Sequence, residues 1–168
     1  MSKPTRIALV GATGLIGMSL IRLAVGRSDI RIVGISRREA TLPPGARMEL
    51  LVADPQNWGD AIAAANADVL VCALGTTWRK AGKDEAAFRS VDEVLVLDCA
   101  KAAKAAGLRQ MIVISSVGAE PFSKSFYLRV KGEVEQKLGK VGLPRLDILR
   151  PGLLRGPRAE RRDRKSVV

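Results

Sequence analysis

The 168-residue sequence predicts an α/β fold built on a doubly wound, all-parallel sheet. Three observations carry that prediction. Six short apolar segments alternate with helical stretches, the pattern of parallel strands joined by right-handed crossovers. The first of them, Arg6-Ile-Ala-Leu-Val10, runs straight into three glycines, Gly11, Gly14 and Gly17. Far along the chain, Tyr127 and Lys131 stand one helical turn apart on the stretch that follows the fifth strand. The expected order is 3-2-1-4-5-6 in three layers, with ligands at the carboxyl ends of the strands.

The opening segment is short, apolar and compatible with a buried parallel strand. Each glycine after it has its own physical reason. Gly11 lets the strand turn sharply, Gly14 removes a Cβ where a pyrophosphate must approach the backbone, and Gly17 lets the next helix pack closely on the strand. That helix is predicted over 15–26, with its amino end facing the phosphate charge. Thr13 could add a hydroxyl hydrogen bond. This is the Rossmann arrangement with the spacing G-x-x-G-x-x-G rather than the commoner G-x-G-x-x-G.

The second strand, 31–36, ends at Ser36-Arg37-Arg38. An NAD-selective site usually has an acidic residue there to accept from the ribose hydroxyls. Two arginines instead favour a 2′-phosphate, onto which a guanidinium can fork. NADP is therefore the expected cofactor, ahead of NAD; a solvated basic loop is the plainer reading. Leu42-Pro-Pro-Gly45 is a surface turn before the third strand, 47–53. Asp54 follows it and could accept from an adenine amino group or equally cap the helix predicted over 57–66. The fourth strand, 68–74, leads to Gly75, which permits close backbone approach to the cofactor's ribose and diphosphate bridge, or simply makes a turn. A helix over 84–106 carries Val91, Val94, Leu95, Leu97 and Ala102 at roughly helical spacing and stops at Gly107. The fifth strand, 110–115, the helix over 123–141 and the sixth strand, 145–150, complete the fold.

Tyr127 and Lys131, at i and i+4, share one helix face. Reducing a carbonyl with a hydride requires a proton for the nascent alkoxide. An ordinary phenol holds its proton too tightly to serve well in both directions, and a nearby ammonium favours the phenolate. The same lysine can hold the nicotinamide ribose hydroxyls. A serine hydroxyl can bond the substrate carbonyl and stabilise developing negative charge. Successive strand residues face opposite ways, so one of Ser115 and Ser116 should serve; Ser116 is preferred and Ser115 is the alternative.

At this length the chain is expected to be a single domain, 1–168, able to bury a real core. The formal charge of +11 invites a nucleic-acid reading, with a dense basic share in 155–168. The few aromatic residues do not interleave with those charges, so nucleic-acid binding ranks last. No apolar run is long enough to span a bilayer. With no histidines and only Cys72 and Cys99, no metal-ligand spacing exists. The first strand starts almost at once, which leaves no room for a signal peptide, and a cytoplasmic protein is expected.

Several segments resemble the atypical short-chain dehydrogenase/reductases, in the NAD(P)-binding, sugar-epimerase-like subgroup around Tat-interacting protein 30. They are Gly11-Ala-Thr-Gly-Leu-Ile-Gly17, Ser36-Arg-Arg38, Leu74-Gly-Thr-Thr77, Ser115-Ser-Val-Gly-Ala119, Tyr127-Leu-Arg-Val-Lys-Gly-Glu-Val-Glu135 and Leu149-Arg-Pro-Gly-Leu-Leu154. Arg158-Ala-Glu-Arg-Arg162 follows. The resemblance implies NADP(H) on a Rossmann sheet, with Thr13, Gly14, Leu15 and Ile16 along the diphosphate and Arg37 and Arg38 at the adenosine phosphate. It places Leu74 and Gly75 beside the ribose, makes Tyr127 and Lys131 the active pair, and closes Leu154 and Arg162 over the nicotinamide end. It names no substrate beyond a small molecule.

Proteins of this kind continue well past the Arg-Pro-Gly motif, so a truncated substrate lobe is expected, with 155–168 as its basic remnant. Open apolar surface there points to self-association as a homodimer. Two functions follow: an NADP-dependent oxidoreductase acting on a carbonyl or alcohol, or a dinucleotide-binding regulatory or redox-sensing protein with little turnover.

Overall fold

A computed structural model describes residues 2–156. Six strands form one all-parallel sheet in the order β3-β2-β1-β4-β5-β6, as the sequence predicts. They are β1 (Thr5–Val10), β2 (Ile30–Ser36), β3 (Glu49–Val52), β4 (Val69–Cys72), β5 (Gln110–Ile114) and β6 (Leu146–Leu149). The helices are α1 (Leu15–Ala24), α2 (Trp58–Ala64), α3 (Glu85–Arg89), α4 (Val96–Ala105) and α5 (Phe126–Gly139). A 3-10 turn, Pro55–Asn57, leads into α2, and a π-helical turn, Ser90–Leu95, joins α3 to α4.

Alternating strand residues feed two cores. Ala8, Val10, Val33, Ile35, Leu70, Cys72, Met111 and Val113 pack on one face against α2, α4 and α5. Leu9, Ile32, Val69 and Val71 pack on the other against Ile21 of α1, with Leu42, Ala46 and Met48 of the β2–β3 connection beside them. Central strands are apolar on both sides because helices or loops cover both.

The register brings the carboxyl ends of the strands to one crest. Val10 is paired with Ile35 and with Cys72, Cys72 with Val113, and Val113 with Ile148. The segments after β1, β2, β4 and β5 therefore leave the sheet side by side.

One stretch departs from its predicted form. Residues 84–106 are expected as one regular helix with Val94 on the apolar face. The π-helical turn breaks the period: Val94 is exposed, while Asp92 and Glu93, adjacent in sequence, are both buried. A wider turn shifts the register of everything after it, so the inward face of α4 is made by Val96, Cys99, Ala100 and Ala103. The fifth strand also stops at Ile114, one residue short of its predicted end.

Candidate functional site

The loop after β1 is held open by two tight contacts. Gly11 has a φ of +83°, and a Cβ on it would stand 2.6 Å from the Ala73 carbonyl oxygen after β4. A Cβ on Gly17 would stand 2.2 Å from the Gly11 carbonyl oxygen. Backbone blocks any side chain at either position. Gly14 is different: a Cβ there would meet only the Gly11 oxygen, at 3.5 Å, an ordinary contact. Space at Gly14 is thus not required by the packing of the chain itself.

Gly14 is also the N-cap of α1, and no side chain caps that helix. Ser125, by contrast, caps α5 through its hydroxyl. The first-turn amides of α1, among them those of Leu15 and Ile16, carry the positive end of the helix dipole towards the crest. An uncapped helix start with an open glycine beside it suits a diphosphate. Thr13 and Gly14 are exposed there, and Leu15 and Ile16 are half-buried.

At the end of β2 the Ser36 hydroxyl donates to the Arg38 carbonyl at 2.5 Å, which folds the turn back on itself. Arg37 and Arg38 are exposed. Neither makes an ion pair with a carboxylate among the described residues. Asp54 begins the 3-10 turn, but its side chain caps nothing; its carbonyl accepts from the Asn57 amide instead. The capping alternative for Asp54 is not realised.

A contiguous path of contacts runs from the glycine loop to the tyrosine. Gly11 abuts Ala73, and the residues after it turn through Leu74, Gly75 and Thr76. The Thr76 amide donates to Asp92 Oδ2 at 2.8 Å. Asp92 Oδ1 stands 2.9 Å from Lys131 Nζ. Lys131 Nζ lies 5.7 Å from the centre of the Tyr127 ring. The lysine is 7% exposed and the tyrosine 41%. Tyr127 leans edge-on against Phe88, which in turn packs with Trp78 and Phe126.

The two serines differ in circumstance. Ser115 is buried, and its hydroxyl donates to Glu135 Oε1 at 2.5 Å. Arg150 Nε donates to the same oxygen at 2.9 Å, and its Nη2 donates to Oε2. Burial works against a charge on Glu135, but the bonds from Arg150 and Ser115, with the charges of Arg150 and Lys131, outweigh it and hold the carboxyl below its usual range. Ser116 is half-buried, with its hydroxyl on the neighbouring Val117 carbonyl at 3.2 Å.

The chain beyond β6 returns to the glycine loop. Val117 N donates to the Pro151 carbonyl at 3.1 Å, and a Cβ on Gly156 would stand 2.8 Å from Leu15 Cδ1. Leu154, part of this return, is 37% exposed. Arg162 lies outside the described residues.

The crest therefore gathers the β1–α1 loop, the β4 loop, the serines and the Tyr127–Lys131 pair. Asp92 is the residue that sequence reasoning misses. A carboxylate inside an apolar helix is legible only when its counter-ion is known, and Lys131 belongs to a different helix. The adjacency of two acids, Asp92 and Glu93, in an otherwise apolar stretch is the one sequence signal of the π-helical turn.

A six-stranded parallel sheet in this order with a glycine cradle at its crest defines a Rossmann-type NAD(P)-binding domain. The chain belongs to the NAD(P)H-binding family, whose model matches residues 11–165. It is 35% identical over 169 aligned positions to the Aspergillus niger protein named fmp52, mitochondrial, covering 96% of this chain and 72% of that one. Among solved structures it is similar to a Bacillus halodurans protein described as an NAD-dependent epimerase/dehydratase, with a TM-score of 0.74, 23% identity, and coverage of 92% of this chain and 73% of that one. It is also similar to the Bordetella bronchiseptica enzyme WbmG in complex with NAD and UDP, with a TM-score of 0.71 and 20% identity over 88% of this chain. The chain spans about half of that enzyme, 53%. The structural likenesses show the same Rossmann-type α/β fold, and the relatives correct one expectation. The cytoplasmic placement read from the sequence is overturned by the Aspergillus relative and by further fungal relatives, all named as mitochondrial proteins.

Proposed function

We propose that this chain is an NADP(H)-dependent oxidoreductase that reduces a small carbonyl compound or oxidises the corresponding alcohol. The observation that carries the reading is the position of Lys131: a buried ammonium, 5.7 Å from the ring of the only tyrosine in the chain, on the crest that also carries the glycine cradle.

The fit of the residues to the cofactor supports the proposal. Thr13, Gly14, Leu15 and Ile16 would hold the diphosphate, and Leu74 and Gly75 would lie along the ribose. Arg37 and Arg38, without carboxylate partners among the described residues, would hold a 2′-phosphate, which favours NADP over NAD. Leu154 would lie against the nicotinamide end. When bound, the reduced nicotinamide supplies the hydride. Tyr127 gives its hydroxyl proton to the substrate oxygen and recovers it in the reverse direction. Lys131 stabilises negative charge on the phenol and keeps donors for the ribose hydroxyls. Ser116, whose hydroxyl is not committed to a carboxylate, orients the substrate carbonyl, while Ser115 is occupied by Glu135.

The test is NADPH oxidation across a panel of aldehydes and ketones, with Tyr127→Phe as the control. Turnover that Tyr127→Phe abolishes, with unfolding unchanged, supports the reading. Tight dinucleotide binding with no turnover on any carbonyl would favour a regulatory or redox-sensing role. Unchanged turnover in Tyr127→Phe would remove the tyrosine from the chemistry.

A further inference from the structure

The two tryptophans of the chain stand in opposite circumstances. Trp58 is buried, and its indole N–H donates to the Ala53 carbonyl at 2.9 Å. Trp78, on the β4 loop just beyond Gly75, is 41% exposed, and its indole N–H donates to nothing among the described residues. An indole left half in water with its donor unspent forgoes both of the gains that tryptophan offers a fold.

Trp78 is nevertheless fixed. Just before it the Thr76 amide donates to Asp92 at 2.8 Å, and its own carbonyl accepts from the Lys83 amide at 2.9 Å. Part of its ring packs on Phe126, with centroids 5.3 Å apart, and on Phe88, at 6.4 Å. Phe126 is braced in turn by the guanidinium groups of Arg89 and Arg129, 5.5 and 5.7 Å from its ring centre. The exposed part of the indole is therefore a preorganised surface, and a ligand there orders no side chain at its own expense.

Across Phe88 lies Tyr127. The buried Phe88 ring meets the Trp78 ring edge-on and meets the Tyr127 ring edge-on at 5.9 Å. Both half-exposed rings thus stand one ring contact from the same phenylalanine. The Tyr127 hydroxyl, like the indole N–H, donates to nothing among the described residues. A flexible aliphatic ligand would gain only buried area from this surface. A planar π system also gains ring stacking. Conjugation holds a carbonyl oxygen in the plane of the ring that carries it, so stacking that ring on the indole also fixes the direction of the carbonyl.

We propose that Trp78 sets the substrate specificity of the site: its open surface stacks a planar carbonyl compound, conjugated with an aromatic ring, and so aims the carbonyl oxygen at Tyr127. The proposal rests on the oxidoreductase reading above and names the substrate class for it. Trp78 meets the substrate and not the dinucleotide.

The test compares benzaldehyde with cyclohexanecarbaldehyde, which is of similar size but not planar, in the unsubstituted chain, Trp78→Leu and Trp78→Phe. The readout is the ratio of kcat/KM for the two aldehydes. Their intrinsic difference in reactivity cancels when a variant's ratio is divided by that of the unsubstituted chain. Trp78→Leu should lower the ratio roughly tenfold, the scale of one aromatic stack, mainly through KM for benzaldehyde. Trp78→Phe keeps a ring and should restore most of it. The NADPH dissociation constant, measured on the same proteins, shows that each is folded and should stay within about twofold. Equilibrium binding of benzamide, which carries the same plane and carbonyl but is not reduced, gives a readout apart from turnover and should weaken in Trp78→Leu. An unchanged ratio, unchanged benzamide binding, or a loss of NADPH affinity as large as the loss for benzaldehyde would overturn the proposal. Benzamide binding that depends on Trp78, with no turnover of either aldehyde, would overturn the oxidoreductase reading and leave the aromatic site standing.

Discussion

The hydroxyl of Ser115 and the carboxylate of Glu135 stand 2.5 Å apart, with Arg150 closing on the same carboxylate from the chain beyond β6. This contact joins β5, α5 and the return segment in one polar cluster beneath the crest. It also assigns different work to adjacent serines. Ser115→Ala should lower stability by roughly 1 kcal/mol, the worth of one hydrogen bond, and leave dinucleotide binding intact. Ser116→Ala should leave stability unchanged and lower turnover. Urea unfolding and NADPH oxidation measure the two separately; the reverse pattern would make Ser115 the substrate-facing residue.

Glu135 and Glu93 should dominate the acid limb of stability. For each, burial opposes the charge. Arg150 and Ser115 outweigh it at Glu135, and Lys137 and Arg89 outweigh it at Glu93, so both carboxyls lie below the usual range in the folded protein. A carboxyl lowered on folding contributes stability that is complete above the unfolded-state value, ordinarily 4.5, and is lost as pH falls through the folded-state value. Urea midpoints should therefore fall as pH drops below about 4.5, and Glu135→Gln should flatten that fall while costing roughly 1–2 kcal/mol at neutral pH, a figure kept small by the exposure of Arg150. An acid limb unchanged in Glu135→Gln would contradict this assignment.

The glycines of the first loop should separate structural from ligand-driven need. At Gly17 a methyl group would overlap the Gly11 carbonyl, and Gly17→Ala should cost roughly 3 kcal/mol or more. At Gly14 the backbone, with φ −79° and ψ 175°, suits alanine, and the added methyl meets only an ordinary contact. Gly14→Ala should cost less than about 1 kcal/mol of stability and still weaken dinucleotide binding. Thermal unfolding with binding on the same samples tests both statements; equal stability losses would contradict them.

Much of this is legible in the sequence for a definite reason. Parallel strands buried on both faces read as apolar runs, and Gly11 and Gly17 mark backbone contacts that no other residue tolerates. Six strands, their order and the cradle follow from that. The interior of the segment from α3 to α4 is not legible, because hydrophobic periodicity assumes 3.6 residues per turn and the π-helical turn does not obey it. Val94 therefore reads as inward-facing, and Asp92 is passed over. Its burial is decided by Lys131, which a local pattern cannot see. The competition between Ser115 and Ser116 turns on Glu135, another distant partner. Asp54 offers two readings, of which the geometry removes helix capping. The compartment expected from the sequence rests on what the chain lacks, and relatives named as mitochondrial proteins overturn it.

Both cysteines should be silent in the native state. Cys72 and Cys99 are buried, and burial pushes the Cys72 thiol up to about 11 and the Cys99 thiol higher still. Thiolate is the reactive form. A thiol-specific reagent should therefore label neither residue in the folded protein at neutral pH and both after denaturation. Rapid native labelling would place a thiol-reactive surface where the core is described.

The loop from Gly11 to Gly17 and the arginines at the end of β2 should together hold a phosphorylated dinucleotide, and every functional step proposed above depends on that. The decisive measurement is titration of the chain with NADPH and NADH, read by quenching of Trp78 and Trp58 and repeated with Arg37→Ala/Arg38→Ala. Saturable binding of both is expected, tighter for NADPH, with that preference removed by the double substitution and NADH affinity largely unchanged. Saturable binding of neither dinucleotide, or a preference for NADPH that survives loss of both arginines, would contradict it.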